Sequence, residues 1–221
     1  MTTIATESRS LLSLLAWLSP AFPVGGFAYS HGLEWAIEAG DIRDGATLRE
    51  WLLDVLLHGS GRTDAILLRA AYRSCNDLDA LVVVAETGLA SVAARERREE
   101  TLNQGRAFAL GMAAWGGLDG PEEMPYPVAV GIACGRRGVP EDDAVLAWLQ
   151  AFAANLISAA VRLVPLGQSV GLLVLAALEP VIVRLAAETR SATLDDLGGC
   201  AFRSDLAAMR HETQYTRLFR S

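Results

Sequence analysis

The hydrophobic positions of this chain recur at spacings of three, four and seven, the signature of helices with one buried face. Leu11, Leu14, Leu15 and Leu18 mark an amphipathic first helix over residues 10–18, which Pro20 ends. A helix over residues 29–39 follows, with Leu33 and Ile37 inward and Gly40 as its stop. Thr47 reads as an N-cap and Glu50, three residues on, completes a capping box. The stripe behind that cap is Leu48, Trp51, Leu52, Val55 and Leu56. Gly59 and Gly61 break the chain before a helix over residues 62–75. Val82, Val83 and Val84 form a strand-like run, but Leu78, Leu81, Val82 and Ala85 keep helical spacing, which predicts a helix over residues 77–90.

Residues 91–114 predict a long helix, polar at first and apolar later. Its opening brings Arg95, Arg98, Glu99 and Arg106 together as a solvated, ion-paired face. The stretch 115–127 is rich in glycine and proline, a seam or mobile loop, placed by its composition at 116–127. A short helix over 126–135 leads to a long one that opens on Glu141, Asp142 and Asp143, charges suited to a helix N-terminus. It carries Val145, Trp148, Leu149, Phe152, Leu156 and Ile157 and stops at Pro165. Residues 169–179 and 180–188 make one kinked helix or two short ones, and 202–209 a last short helix. About nine or ten helices with short connections, and no sustained strand alternation, predict an all-α, single-domain helical bundle over residues 1–221.

One segment departs from that pattern. Residues 19–40, SPAFPVGGFAYSHGLEWAIEAG, hold a loop crowded with Phe22, Phe27 and Tyr29. Loops normally face water, so this one is either packed on the bundle or kept for a partner. Composition narrows the functional classes. The 221 residues are 52% hydrophobic and 20% charged, which is a globular balance, and the net charge of −7 lacks the basic face that nucleic acid requires. All 19 basic residues are arginine. Without lysine the chain can supply neither a P-loop nor Schiff-base chemistry. Cys75, Cys134 and Cys200 are odd in number and far apart, which implies no disulfide framework and fits a reducing cytosol. Arg9 ahead of Leu11–Leu18 imitates a short signal peptide, but Glu7 is wrong for its basic start. The apolar run 170–178 is too short to span a bilayer and reads as a core helix.

Catalytic and metal motifs are weak. His31, His58 and His211 share no metal-ligand spacing with one another or with the cysteines. His31 and Glu34 share a helix face as a polar pair. Ala28-Tyr29-Ser30-His31-Gly32 approaches the nucleophile elbow of a serine hydrolase using Ser30 and His31, but that elbow needs a strand and a parallel sheet. Arg162, near the end of an apolar helix, is either a C-terminal cap or a charge held for a partner. The tail carries Arg210, His211, Tyr215, Arg217, Leu218, Phe219 and Arg220, and arginine and aromatic residues are enriched in binding hot spots.

Four blocks in order resemble those of one family: SPAFPVGGFAYSHGLEWAIEAG, REETLNQGRAFA, NLISAAVRLVPLGQS with the following LVLAALEPVIV, and AMRHETQYTRLFRS. Together they resemble the urease accessory protein UreF family over nearly the whole chain. The resemblance implies an all-α, non-enzymatic, cytoplasmic protein of nickel-urease maturation. It implies complexes with UreD (UreH in some organisms), the GTPase UreG and urease apoprotein, and a homodimer within them. Nickel is then handled by the complex, and this chain has no cofactor of its own. Arg162 stands where the family usually has a basic residue before LVPLGQ, which makes Arg162 and Gln168 candidates for acting on the GTPase. Tyr29, His31, Glu34 and the tail, residues 210–221, are the other partner-binding candidates.

Overall fold

A computed structural model describes residues 2–221, with side chains from residue 8 onward, and it is all-α. Ten α-helices run in order: α1 Thr2–Trp17, α2 Leu33–Glu38, α3 Gly45–His58, α4 Ser60–Arg73, α5 Leu78–Ala90, α6 Arg95–Gly111, α7 Tyr126–Arg137, α8 Glu141–Leu163, α9 Gly167–Glu188 and α10 Phe202–His211. No strand occurs among the described residues. The bundle is built around α4, α7 and α8. The α7 residues Val128, Ala129, Val130, Ile132, Ala133 and Cys134 are all buried. Arg69 of α4, 1% exposed, is neutralised where three helices meet: it bonds Glu141 and Asp142 of α8, both at 2.8 Å, and the Ala186 carbonyl of α9. The acidic turn of α8 therefore pairs a buried cation as well as complementing the helix dipole.

Several boundaries differ from the sequence reading, each for a local reason. The cap of α3 is Asp44, whose side chain accepts from the Thr47 N–H at 2.8 Å, while the Thr47 hydroxyl accepts from the Asp44 N–H at 3.1 Å. Thr47 is thus the third residue of the box, and Glu50 lies outside it. Helix α2 starts at Leu33, not at residue 29, because His31 (φ 60°) and Gly32 (φ 78°) are left-handed. A side chain at Gly32 would also strike α10, since its Cβ would lie 2.7 Å from the Ala208 nitrogen. Residues 91–94 are not helical, and Ala94 is extended. Helix α9 passes through Pro180 without a break.

The largest difference in burial is at α1. It turns Ser10, Leu14 and Trp17 inward, at spacings of four and three, and leaves Leu11, Leu12 and Leu15 more than half exposed. Leu172, Leu173 and Val183 of α9 are likewise outside, while Val174, Leu178, Ile182 and Leu185 face the core. Helices α8 and α9 are long and apolar enough to cross a membrane by length and composition alone.

Candidate functional site: a carboxylate cleft that holds the tail

The apolar loop and the tail, far apart in sequence, meet. The loop's aromatics divide. Phe22 is buried and stacks on Phe108 and Trp115, with ring centroids 5.2 and 5.9 Å away. Tyr29 is buried, and Phe27 points outward. The backbone beyond them pairs with the end of the chain. The Ser30 N–H donates to the Ser221 carbonyl at 2.8 Å, the Arg220 N–H donates to the Ala28 carbonyl at 2.8 Å, and the Ser30 hydroxyl also donates to Ser221 O. These two main-chain bonds, made without any sheet, fasten the end of the tail to the loop.

A non-helical segment lying on a bundle needs acceptors for its N–H groups, and of three buried carboxylates one takes tail backbone and two take tail side chains. Glu34 of α2 accepts from the backbone of Leu218 at 2.7 Å and of Phe219 at 2.9 Å. Glu96 of α6 accepts from Arg217 at 2.7 Å. Glu100 of α6 accepts from the Ser221 hydroxyl at 2.5 Å and pairs with Arg97. His211, fully buried at the end of α10, stands between two of them, Nε2 3.1 Å from Glu34 and Nδ1 2.6 Å from Glu96. Arg162 closes the arrangement from α8. Its guanidinium donates to the Phe27 carbonyl at 2.5 Å and lies 4.3 Å over the Phe219 ring. It does not cap its own helix; it ties loop to tail.

His31 is buried beside this cleft. Its Nε2 lies 2.6 Å from the Ser60 hydroxyl, and its Nδ1 faces Glu100 at 3.8 Å. Burial, with Arg97 adding to it, lowers the imidazole to about 4, so it is neutral at pH 7. Burial pushes the Glu100 carboxyl up, but Arg97 and His31 outweigh it and hold the group at about 2. Burial lifts Asp64, on α4, to about 7 against the pull of Arg97. Asp64 and Arg97 line both a cavity of about 100 Å³, shared with His31 and Ser60, and a more apolar one of about 220 Å³, shared with Tyr126, Trp148 and Phe152.

The residues marked from sequence therefore fall into two groups. Tyr29, His31, Glu34, His211 and Phe219 are buried and build or fill the cleft. Arg162, Gln168, Arg210, Tyr215, Arg217, Leu218 and Arg220 are exposed, with Tyr215 and Leu218 projecting outward from the docked tail. Gln168 sits apart, in the first turn of α9. Sequence reading missed Glu96, Glu100, Arg97 and Asp64. The signal for the first two was the four-residue spacing of Glu96, Glu100 and Gln104, which puts three polar side chains on one helix face. Catalysis by Ser30 is not supported: its hydroxyl is spent on Ser221, and His31 turns to Ser60 instead. No group of three or more histidine, cysteine or carboxylate side chains suited to a metal ion occurs among the described residues.

The UreF family model matches residues 42–179. The chain belongs to the UreF family. It is 55% identical over 214 residues to a urease accessory protein UreF from Cereibacter sphaeroides, covering 97% of this chain and all of that protein. A protein of the same name from a Bradyrhizobium species is 52% identical, with 97% of this chain and 93% of that one covered. One from Rhodopseudomonas palustris is 50% identical, with 98% and 95% covered. The resemblance drawn from the four blocks thus holds, and as a UreF family member the chain is an accessory protein and not an enzyme. The family match includes Glu96, Glu100 and Arg162 and leaves out loop residues 28–34 and the tail, while the relative from Cereibacter sphaeroides aligns over 97% of this chain.

Proposed function

We propose that the chain is a scaffold of nickel-urease maturation. It links UreD/UreH and the GTPase UreG to urease apoprotein and regulates GTP-dependent nickel insertion, acting in the cytoplasm as a homodimer within that complex. The observation that carries the reading is the docked tail. The backbone of Leu218 and Phe219 and the Phe219 ring are fixed to the body, so Leu218 stands out on an anchored support with exposed Tyr215 three residues before it. A backbone that is already anchored loses little further entropy when its outward side chains bind a partner. The uncovered leucines of α1 and α9 offer further apolar surface for a second copy or a partner. Nickel in this reading belongs to the assembly. Arg162 affects partners through the tail it holds before any direct contact with the GTPase.

Co-purification with the UreD-type and UreG-type proteins of the same organism tests this. Tyr215→Ala with Leu218→Asp is expected to cut recovery of a partner at least tenfold while leaving the helical spectrum unchanged. Failure of the unaltered chain to bind either partner would overturn the scaffold reading.

A further inference from the structure

We propose that the larger cavity beside the cleft binds a small organic cation, an aromatic ammonium or amidinium, with its charge on Asp64 and its ring against Trp148 and Phe152. The inference rests on a carboxylate without a partner. Asp64 of α4 lines the cavity of about 220 Å³, and its side chain makes no hydrogen bond or ion pair among the described residues. Interior polar groups are almost always satisfied, so a carboxylate left unpaired beside an open volume is placed to receive a guest. Two other charged residues line the same cavity, Arg97 and Glu100 of α6, and they pair with each other. The wall therefore carries one negative charge in excess when Asp64 is ionised.

The opposite wall is aromatic by construction. Trp148 and Phe152 stand four residues apart on α8 and share its face. Tyr126, at the start of α7, meets Trp148 edge-on with ring centroids 4.8 Å apart. Its hydroxyl makes no hydrogen bond among the described residues and is a second acceptor. A carboxylate facing aromatic rings suits an organic cation, because the ion pair neutralises the acid while the ring faces attract the same charge. An anion would meet Asp64 with only Arg97, already paired, to hold it. A hard metal ion takes about six oxygens or more, and here it would find one free carboxylate. Volume sets the body of the guest. An apolar cavity of about 150 Å³ holds benzene, so one of about 220 Å³ has room for a ring with one short substituent.

The test is titration of the full chain at pH 8, where Asp64 is mostly ionised, with three probes of one shape: benzylammonium, neutral benzyl alcohol and the anion benzoate. The indole N–H signal of Trp148 reports binding. Benzylammonium is expected to bind at least tenfold more tightly than either of the others. Asp64→Asn, which keeps the side chain's shape and removes its charge, should weaken benzylammonium at least tenfold and leave benzyl alcohol unchanged. The comparison of probes needs no variant. A smaller preference for benzylammonium, tighter binding of benzoate, a Trp148 signal that no probe displaces, or undiminished affinity in Asp64→Asn would overturn the site.

Discussion

At its N-terminal end the chain turns Trp17 into the core and leaves Leu11, Leu12 and Leu15 in water, and at its other end it buries Phe219 and Ser221 and projects Tyr215 and Leu218. Each end has one aromatic anchor and an apolar outer surface, yet the two are secured by different means. Helix α1 satisfies its own backbone, so it needs nothing from the bundle but a surface for Leu14 and Trp17. Beyond α10 the tail is not helical, so Glu34 and the carbonyl of Ala28 receive the N–H groups of Leu218, Phe219 and Arg220, and Glu96 and Glu100 receive the side chains of Arg217 and Ser221. The lesson is that hydrophobic content does not decide how a chain end docks; the destination of its backbone hydrogen bonds does. It follows that damage to α1 should be felt as lost packing of the whole bundle, and damage to the tail site as local release.

The sharpest test sets Trp17→Ala against Glu34→Ala. Trp17 is fully buried, edge-on to Phe108 and Trp115, and its removal should cost about 4 kcal/mol of global stability in urea unfolding. Glu34→Ala strips an acceptor from two amides and from His211. It should cost about 3 kcal/mol, but as tail release, with proteolysis at Arg217 and Arg220 appearing well before the bundle unfolds. If Glu34→Ala lowered global stability as Trp17→Ala does while the tail stayed protected, the distinction between the two ends would collapse.

Asp64 probes the electrostatics beneath the tail. Its carboxyl, lifted from 3.8 to about 7 by burial, binds a proton more tightly folded than unfolded. Such a group favours the folded state below pH 3.8 and loses that contribution as pH rises to about 7, so at pH 8 the ionised carboxylate is a burden. Asp64→Asn should therefore stabilise the protein at pH 8 by about 2 kcal/mol, less than the full shift implies because the group lines a cavity. The gain should shrink to nothing near pH 4. Urea unfolding at both pH values reads it, and a gain independent of pH would remove Asp64 from the account.

Much of this protein was legible in its sequence, and the exceptions share a cause. The helical stripes are local, so the all-α bundle and most helix centres could be read directly. Where two local signals competed, the reading erred by a few residues: Asp44 outcompeted Thr47 as a cap, and the left-handed pair His31-Gly32 delayed α2. The inward face of α1 was misjudged because four leucines outweighed one tryptophan in the pattern, although Trp17 fits the deeper site. The cleft was illegible for a different reason. The bonds between body and tail join residues far apart in sequence, from Glu96–His211, 115 positions apart, to Ser30–Ser221, 191 apart, and beyond, and no periodicity encodes such pairs. The reading of α6 as a solvated face rested on Arg95, Arg98, Glu99 and Arg106 and passed over Glu96 and Glu100, which are buried where they meet His211, Arg217 and Ser221.

Arg162 should give a smaller effect than Glu34. Its guanidinium is exposed while it stacks on Phe219 and holds Phe27 O, so Arg162→Ala should cost about 1 kcal/mol, visible as faster proteolysis of the tail and of residues near Phe27 together. Arg162→Lys should restore less than half, since an ammonium lacks the planar face that lies over the ring. A charge acting only on a partner would leave both segments unchanged in the isolated chain.

The smallest expected effect is at Leu12, which is 65% exposed on α1. Leu12→Gln should alter unfolding stability by no more than about 0.5 kcal/mol, as an outward substitution on a self-satisfied helix does. Its consequence should lie in association, with sedimentation of the chain alone and with its partners showing weaker assembly, because an apolar surface left in water is of use only when something covers it. A loss of 2 kcal/mol or more would mean that the leucines are packed within the bundle, and α1 would then be held as a core helix by more than Leu14 and Trp17. Unchanged stability with unchanged assembly would leave α9, through Leu172, Leu173 and Val183, as the apolar face available to a second copy.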